Sequence, residues 1–183
     1  GGGDSGSGGG DDAIDTNTGG GLIGNSPDFK RPTAGSGAWN SIANAYDQTD
    51  GTYATTIATN VADFSNYAYS IPGSNAINGI EVKLEVSGTT AAGSIAVSLS
   101  WDGGTSWTAT KNTATLDTTD TVLSVGGPAD LWGRTWTASE LSNANFAVRL
   151  TGAPSAIEIR VDEIQVRVYN QATGGGGGGG GRI

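Results

Sequence analysis

The segment INGIEVKLEV, Ile77 to Val86, alternates apolar and polar side chains through its second half. Ile80, Val82, Leu84 and Val86 share one parity; Glu81, Lys83 and Glu85 share the other. Successive side chains of a β-strand leave on opposite faces, so the pattern predicts a strand with one face buried and one wet. The same period returns in Ile95, Val97, Leu99 and Trp101, with Ala96, Ser98 and Ser100 opposite. It returns again in Phe146, Val148 and Leu150, with Ala147 and Arg149 outward. Half-buried strands of this kind belong to antiparallel sheets packed face to face, so the expected fold is an all-β antiparallel sandwich.

Near the end of the chain the parity changes. Ile157, Ile159 and Val161 are apolar at odd positions, while Ile164, Val166 and Val168 continue at even ones. One extra residue in the strand would keep both halves facing the core, which predicts a β-bulge between Val161 and Ile164. A strand that crosses from one sheet to the other is the alternative. Pro72-Gly73, Asp102-Gly103-Gly104 and Gly126-Gly127-Pro128 are turn signals between strands. Thr137-Ala-Ser-Glu140-Leu141 is the one expected helical turn, with Thr137 as its N-cap and Glu140 closing a capping box.

Of the 183 residues, 32 are glycine, and they crowd the two ends. This divides the chain into an acidic glycine-rich arm (1–33), a sandwich domain (34–171) and a polyglycine tail (172–183). The arm carries Asp4, Asp11, Asp12 and Asp15. A net charge of −9 argues against a nucleic-acid partner, because phosphates need lysine and arginine to neutralise them. With no cysteine and no histidine, disulfides, thiolate metal sites and histidine-based catalytic triads are excluded. No apolar run reaches the length of a membrane-spanning helix.

Five segments carry a resemblance: AWNSIANAYDQTDGTYATT (38–56), YSIPGSNAINGIEVKLEV (69–86), SLSWDGGTSWTATK (98–111), LWGRTWTASELSNANFAVRL (131–150) and VDEIQVRVYN (161–170). In this order they resemble a jelly-roll-like sandwich module of phage tail or virion proteins and bacterial surface proteins. The resemblance implies a structural or adhesive role outside the cell, at a cell surface or on a virion, and brings no catalytic residues with it.

Three kinds of chemistry remain open to the residues themselves. Loop carboxylates can hold a hard cation, and calcium is expected first at Asp47 and Asp50, with Asp102, Asp117 and Asp120 behind them. Asx-turns explain most such loop aspartates without a metal. Aromatic rings can stack on sugars, and Trp107 and Trp132 are the candidates, since Trp101 shares the parity of buried residues. Asp162 and Glu163 form a carboxylate pair of the sort a glycosidase uses.

The leading expectation is a non-enzymatic subunit of an extracellular filament, fibre or virion appendage. It would assemble with copies of itself by adding its arm to a neighbour's sheet edge, with Ile14, Leu22, Ile23 and Phe29 as anchors. The alternative is a module that binds carbohydrate or another cell-surface ligand, and a hydrolase is third. The glycine run after Thr173 reads as a tether, or as a segment that packs against copies of itself.

Overall fold

A computed structural model of the chain describes residues 29–173. Nine strands are found there: β1 (Ala34–Gly37), β2 (Ala54–Thr56), β3 (Val61–Ser65), β4 (Ala76–Gly88), β5 (Ser94–Ser100), β6 (Lys111–Asn112), β7 (Thr121–Gly126), β8 (Ala147–Ala153) and β9 (Ile159–Gln171). They form a five-stranded sheet in the order β1-β3-β8-β5-β6 and a four-stranded sheet in the order β2-β9-β4-β7. Every pairing is antiparallel. The all-β sandwich expected from the alternation is the observed fold.

The inward parity of each strand builds the core. Ile80, Val82, Leu84 and Val86 of β4 are fully buried, as are Ile159, Val161, Ile164, Val166 and Val168 of β9. The other sheet contributes Ile95, Val97 and Leu99 of β5, Phe64 of β3, and Val148 and Leu150 of β8. Each such side chain contributes about 1.5–3 kcal/mol by leaving water, offset by the conformational entropy of ordering the chain.

The bulge lies where the parity break predicts it. Glu85 stands opposite Glu163 and Val86 opposite Val161, so Asp162 is the extra residue. Strand β9 stays beside β4 from Gln171 to Ile159, which removes the alternative of a strand changing sheets. A second irregularity lies between Ile77 and Gly79. A Cβ at Gly79 would fall 2.3 Å from the Gly127 carbonyl oxygen, so the loop after β7 can close over this point only if the residue is glycine.

The turn expected at Thr137 is a 3-10 helix, Ala138–Leu141. The Thr137 amide donates to Glu140 Oε1 at 2.9 Å, and the Glu140 amide donates to the Thr137 carbonyl at 3.0 Å. A second 3-10 turn, Ile42–Ala45, leaves no mark in the sequence pattern, because four residues are too few to display a helical period.

The outward side of the four-stranded sheet departs from the expected wet face. Glu85, Glu163, Gln165 and Arg167 are all buried. The end of the lead-in packs there. Lys30 pairs with Val166 through both backbone hydrogen bonds at 2.9 Å, Arg31 bonds Glu163, and the Phe29 ring lies 4.5 Å from the Lys83 ammonium. Polar parity predicts which way a side chain points, not whether another segment pairs alongside the strand and covers it with its own side chains.

Candidate functional site

Two places outside the core bring chemistry together. The first is the outer face of the five-stranded sheet. Cross-strand register aligns Ser36 with Asp63, Asp63 with Arg149, and Arg149 with Ser98, forming one row across β1, β3, β8 and β5. The adjoining row is Ala34, Ser65, Ala147 and Ser100. With such small neighbours the sheet surface is low, and a concavity of about 260 Å³ opens above it, lined by Ser36, Asp63, Ser65, Trp107 and Asn143 among others.

At the centre of the row, Arg149 and Asp63 form a two-pronged pair, Nε to Oδ1 at 2.8 Å and Nη2 to Oδ2 at 2.9 Å. That hydrogen bond holds the guanidinium pKa above its ordinary value. Arg149 also lies over Trp107, 4.2 Å from the ring centre. An arginine has five N–H donors, and the fork to Asp63 occupies two of them.

Trp107 is placed by the turn WDGGTSW. Asp102 Oδ1 accepts from the Thr105 amide at 3.1 Å and the Ser106 amide at 2.7 Å. Gly103 and Gly104 both take positive φ, 76° and 95°, a region glycine reaches without penalty. The indole N–H then donates to the Gly104 carbonyl at 3.2 Å, which leaves the half-buried ring beside the concavity. The Ser106 amide, aided by the Ser100 and Thr105 hydrogen bonds, lowers the Asp102 pKa.

The second place is at the bulge. Asp50 from the loop before β2, Glu85 of β4, Asp120 preceding β7 and Asp162 of β9 each direct a carboxylate oxygen into one cluster, all within 4.8 Å of one another. Asp162 is only 3% exposed. Its Oδ2 accepts from the Gly51 amide at 3.2 Å, and its Oδ1 has no hydrogen-bond partner among the described residues. Burial above all, then the neighbouring carboxylates of Asp50, Glu85 and Asp120, push its pKa from 3.8 up to about 7 against the opposing Gly51 amide. The Tyr53 hydroxyl donates to Asp120 at 3.2 Å on the rim.

The backbone resembles that of carbohydrate-binding modules. A truncated AlyQ with CBM32 and alginate lyase domains superposes with a TM-score of 0.50 at 15% identity, covering 80% of this chain and 34% of that one. The CBM32 of AlyQ in complex with 4,5-unsaturated mannuronic acid gives 0.48 at 13% identity, over 75% of this chain and 96% of the other. A chitosan-binding module from a chitosanase/glucanase of Paenibacillus sp. IK-5 gives 0.46 at 16% identity, again over 75% and 96%. At these identities the likeness concerns the fold. No protein-family model matches the sequence, and no curated protein matches it.

Of the two tryptophans expected to meet sugar, Trp107 lines the concavity and Trp132 does not. Trp132 is 5% exposed, with its indole N–H donating to the Ile80 carbonyl at 2.8 Å. Its backbone is left-handed, φ 57°, and its amide is held by Asp130, so a ring that looked free in the sequence anchors the loop after β7. Trp39 and Trp136 are buried as well, and half-buried Trp101 sits with Trp136 around the Arg134 guanidinium.

The loop aspartates divide. Asp47 builds an Asx-turn, accepting from the Thr49 amide at 2.8 Å and approaching the Thr52 hydroxyl, and it takes no part in the cluster. Asp50 and Asp120 do take part. The alternation places Glu85 on the solvent-facing side of its strand, and only the pairing of β4 with the bulge in β9 exposes its role. Asp162 and Glu163 do not act as a pair, since Glu163 bonds Arg31 and Gln165 while Asp162 enters the cluster. Of the expected arm anchors, Ile14, Leu22 and Ile23 lie outside the described residues, and Phe29 rests against its own sheet.

Proposed function

We propose that this chain is a non-catalytic module that binds a glycan on the outer face of its five-stranded sheet. The carrying observation is the concavity lined by Ser36, Asp63, Ser65, Asn143 and the Trp107 ring, with Asp63 held by Arg149. A sugar ring presents hydroxyls around its edge and C–H groups on its faces. Rigid, forked carboxylate and guanidinium groups suit adjacent hydroxyls, and an aromatic ring suits the C–H face. The Asp63–Arg149 fork and the Asp102 turn hold both kinds of group in place before a ligand arrives, which limits the entropy lost on binding. The resemblance to carbohydrate-binding modules agrees in fold.

Assembly by strand addition has less support among the described residues, because Phe29 and Lys30 pack on the sheet of their own chain.

Affinity electrophoresis through gels containing neutral and uronate-bearing polysaccharides tests the reading. Retardation of the wild type by at least one of them, lost in Trp107→Ala, is the expected result. Equal migration of both proteins in every gel would remove the proposal.

A further inference from the structure

We propose that Asp50, Glu85, Asp120 and Asp162 form a calcium site that pins the bulge of β9 to the loops before β2 and β7. Four oxygens from four separate segments converge within 4.8 Å of one another. A calcium–oxygen bond of roughly 2.4 Å lets ligands on opposite sides of the ion lie about 4.8 Å apart, and calcium accepts irregular sets of carboxylates where magnesium demands a near-ideal octahedron. The oxygens are all hard ligands, which favours an alkaline-earth ion over zinc.

A cluster of acids alone is common on an acidic protein. Asp162 adds the independent observation. Asp162 belongs to the cluster, its side chain is almost wholly buried, and its Oδ1 has no hydrogen-bond partner among the described residues. Burying a carboxylate oxygen without a donor costs several kcal/mol unless a cation or proton meets it. The bulge is what brings Asp162 there. An unbulged β9 would have no additional residue beside Glu85, and Asp162 is that residue. The Gly51 amide on Oδ2 orients the carboxylate, leaving Oδ1 for the ion.

The site is built from the outer side of the four-stranded sheet and shares no residue with the concavity that carries Trp107. Its role is structural. The ion cross-links β9, β4 and two loops that otherwise meet through like charges, so the fold is expected to gain stability when calcium is bound and not in its absence.

The test uses the full chain stripped with a chelator. Calcium should raise its melting temperature by several degrees, and terbium should bind at one equivalent with luminescence sensitised by Tyr53 and displaced by excess calcium. Asp162→Asn should weaken calcium binding about 100-fold or more, because the number of charged ligands sets affinity over several decades. Asp47→Asn should bind like the wild type. Asp162→Asn removes a like charge and should remain folded without calcium; Asp120→Asn provides a second variant if it does not. No effect of calcium on the wild type, undiminished binding by Asp162→Asn and Asp120→Asn, or magnesium acting as well as calcium would each overturn the assignment.

Discussion

On the outer face of the five-stranded sheet, Asp63 and Arg149 stand directly opposite each other and close a two-pronged ion pair. On the outer face of the four-stranded sheet, the bulge at Asp162 gathers four carboxylates instead. Both arrangements come from the same device, cross-strand register, applied to residues far apart in the chain. The first ends balanced, with a ring and hydrogen-bonding groups turned toward a concavity. The second concentrates like charge around a buried oxygen. A face whose charges are already paired can present donors and acceptors to a neutral or weakly charged ligand. A face that gathers carboxylates around an orphaned oxygen calls for a cation. The difference is the ground for proposing recognition on one sheet and stabilisation on the other.

The largest expected effect separates the two faces outright. Trp107→Ala should lower glycan affinity about 30-fold or more, the ~2 kcal/mol typical of an aromatic anchor, while calcium-induced stabilisation stays intact. Isothermal titration with the retained polysaccharide and a thermal melt check both halves. Loss of calcium response in this variant would break the separation.

Next is the pH dependence of the chelated protein. Asp162 has its pKa raised to about 7, so the native state keeps a proton that the unfolded chain gives up near pH 4. That contribution to stability is present below the unfolded pKa and is lost as pH rises through about 7. Urea midpoints of the chelated wild type should therefore fall across this range, and those of Asp162→Asn should fall less. Identical slopes would place the titration elsewhere.

Gly104→Ala should cost about 1 kcal/mol in urea denaturation, from its positive φ rather than from crowding. The added Cβ would meet Trp107 only at 3.6 Å, an ordinary contact. Weakened glycan retention with unchanged calcium binding should accompany it. The smallest effect concerns Asp102, whose pKa is lowered mainly by the Ser106 amide. Its help in holding the Trp107 turn is present above the ordinary carboxylate range and lost only as pH falls through its lowered pKa. Retention should therefore persist at pH 4 in the wild type, and Asp102→Asn should weaken it modestly at neutral pH, as affinity electrophoresis would reveal.

Local pattern made much of the sandwich legible. The alternation of β4, β5 and β8 and the parity break in β9 are period-2 signals that need no knowledge of partners. The turn around Glu140 is equally local. Strands β1, AGSG, and β2, ATT, carry too few apolar residues to announce themselves, and pairing with β3 and β9 is what makes them strands. The sites are harder still. Trp107 was visible as a residue beside a glycine turn, but Asp63 and Arg149 are 86 positions apart and meet only through the β3–β8 register. Asp50 and Asp120 were visible as loop acids and Asp162 as a bulge residue. Their convergence on Glu85 depends on sheet order, which one sequence does not reveal. Trp132 misled because a left-handed backbone and a buried indole bond to Ile80 leave no mark on composition.

The most direct test of the account is a titration of the ¹⁵N-labelled chain with oligomers of the retained polysaccharide, followed by NMR. The account predicts saturable shifts of the Trp107 indole resonance and of the Gly103, Gly104 and Asn143 backbone signals, with the indoles of Trp39, Trp132 and Trp136 unmoved. Shifts confined to the surroundings of Asp50 and Asp162, or to any surface away from Trp107, would contradict it.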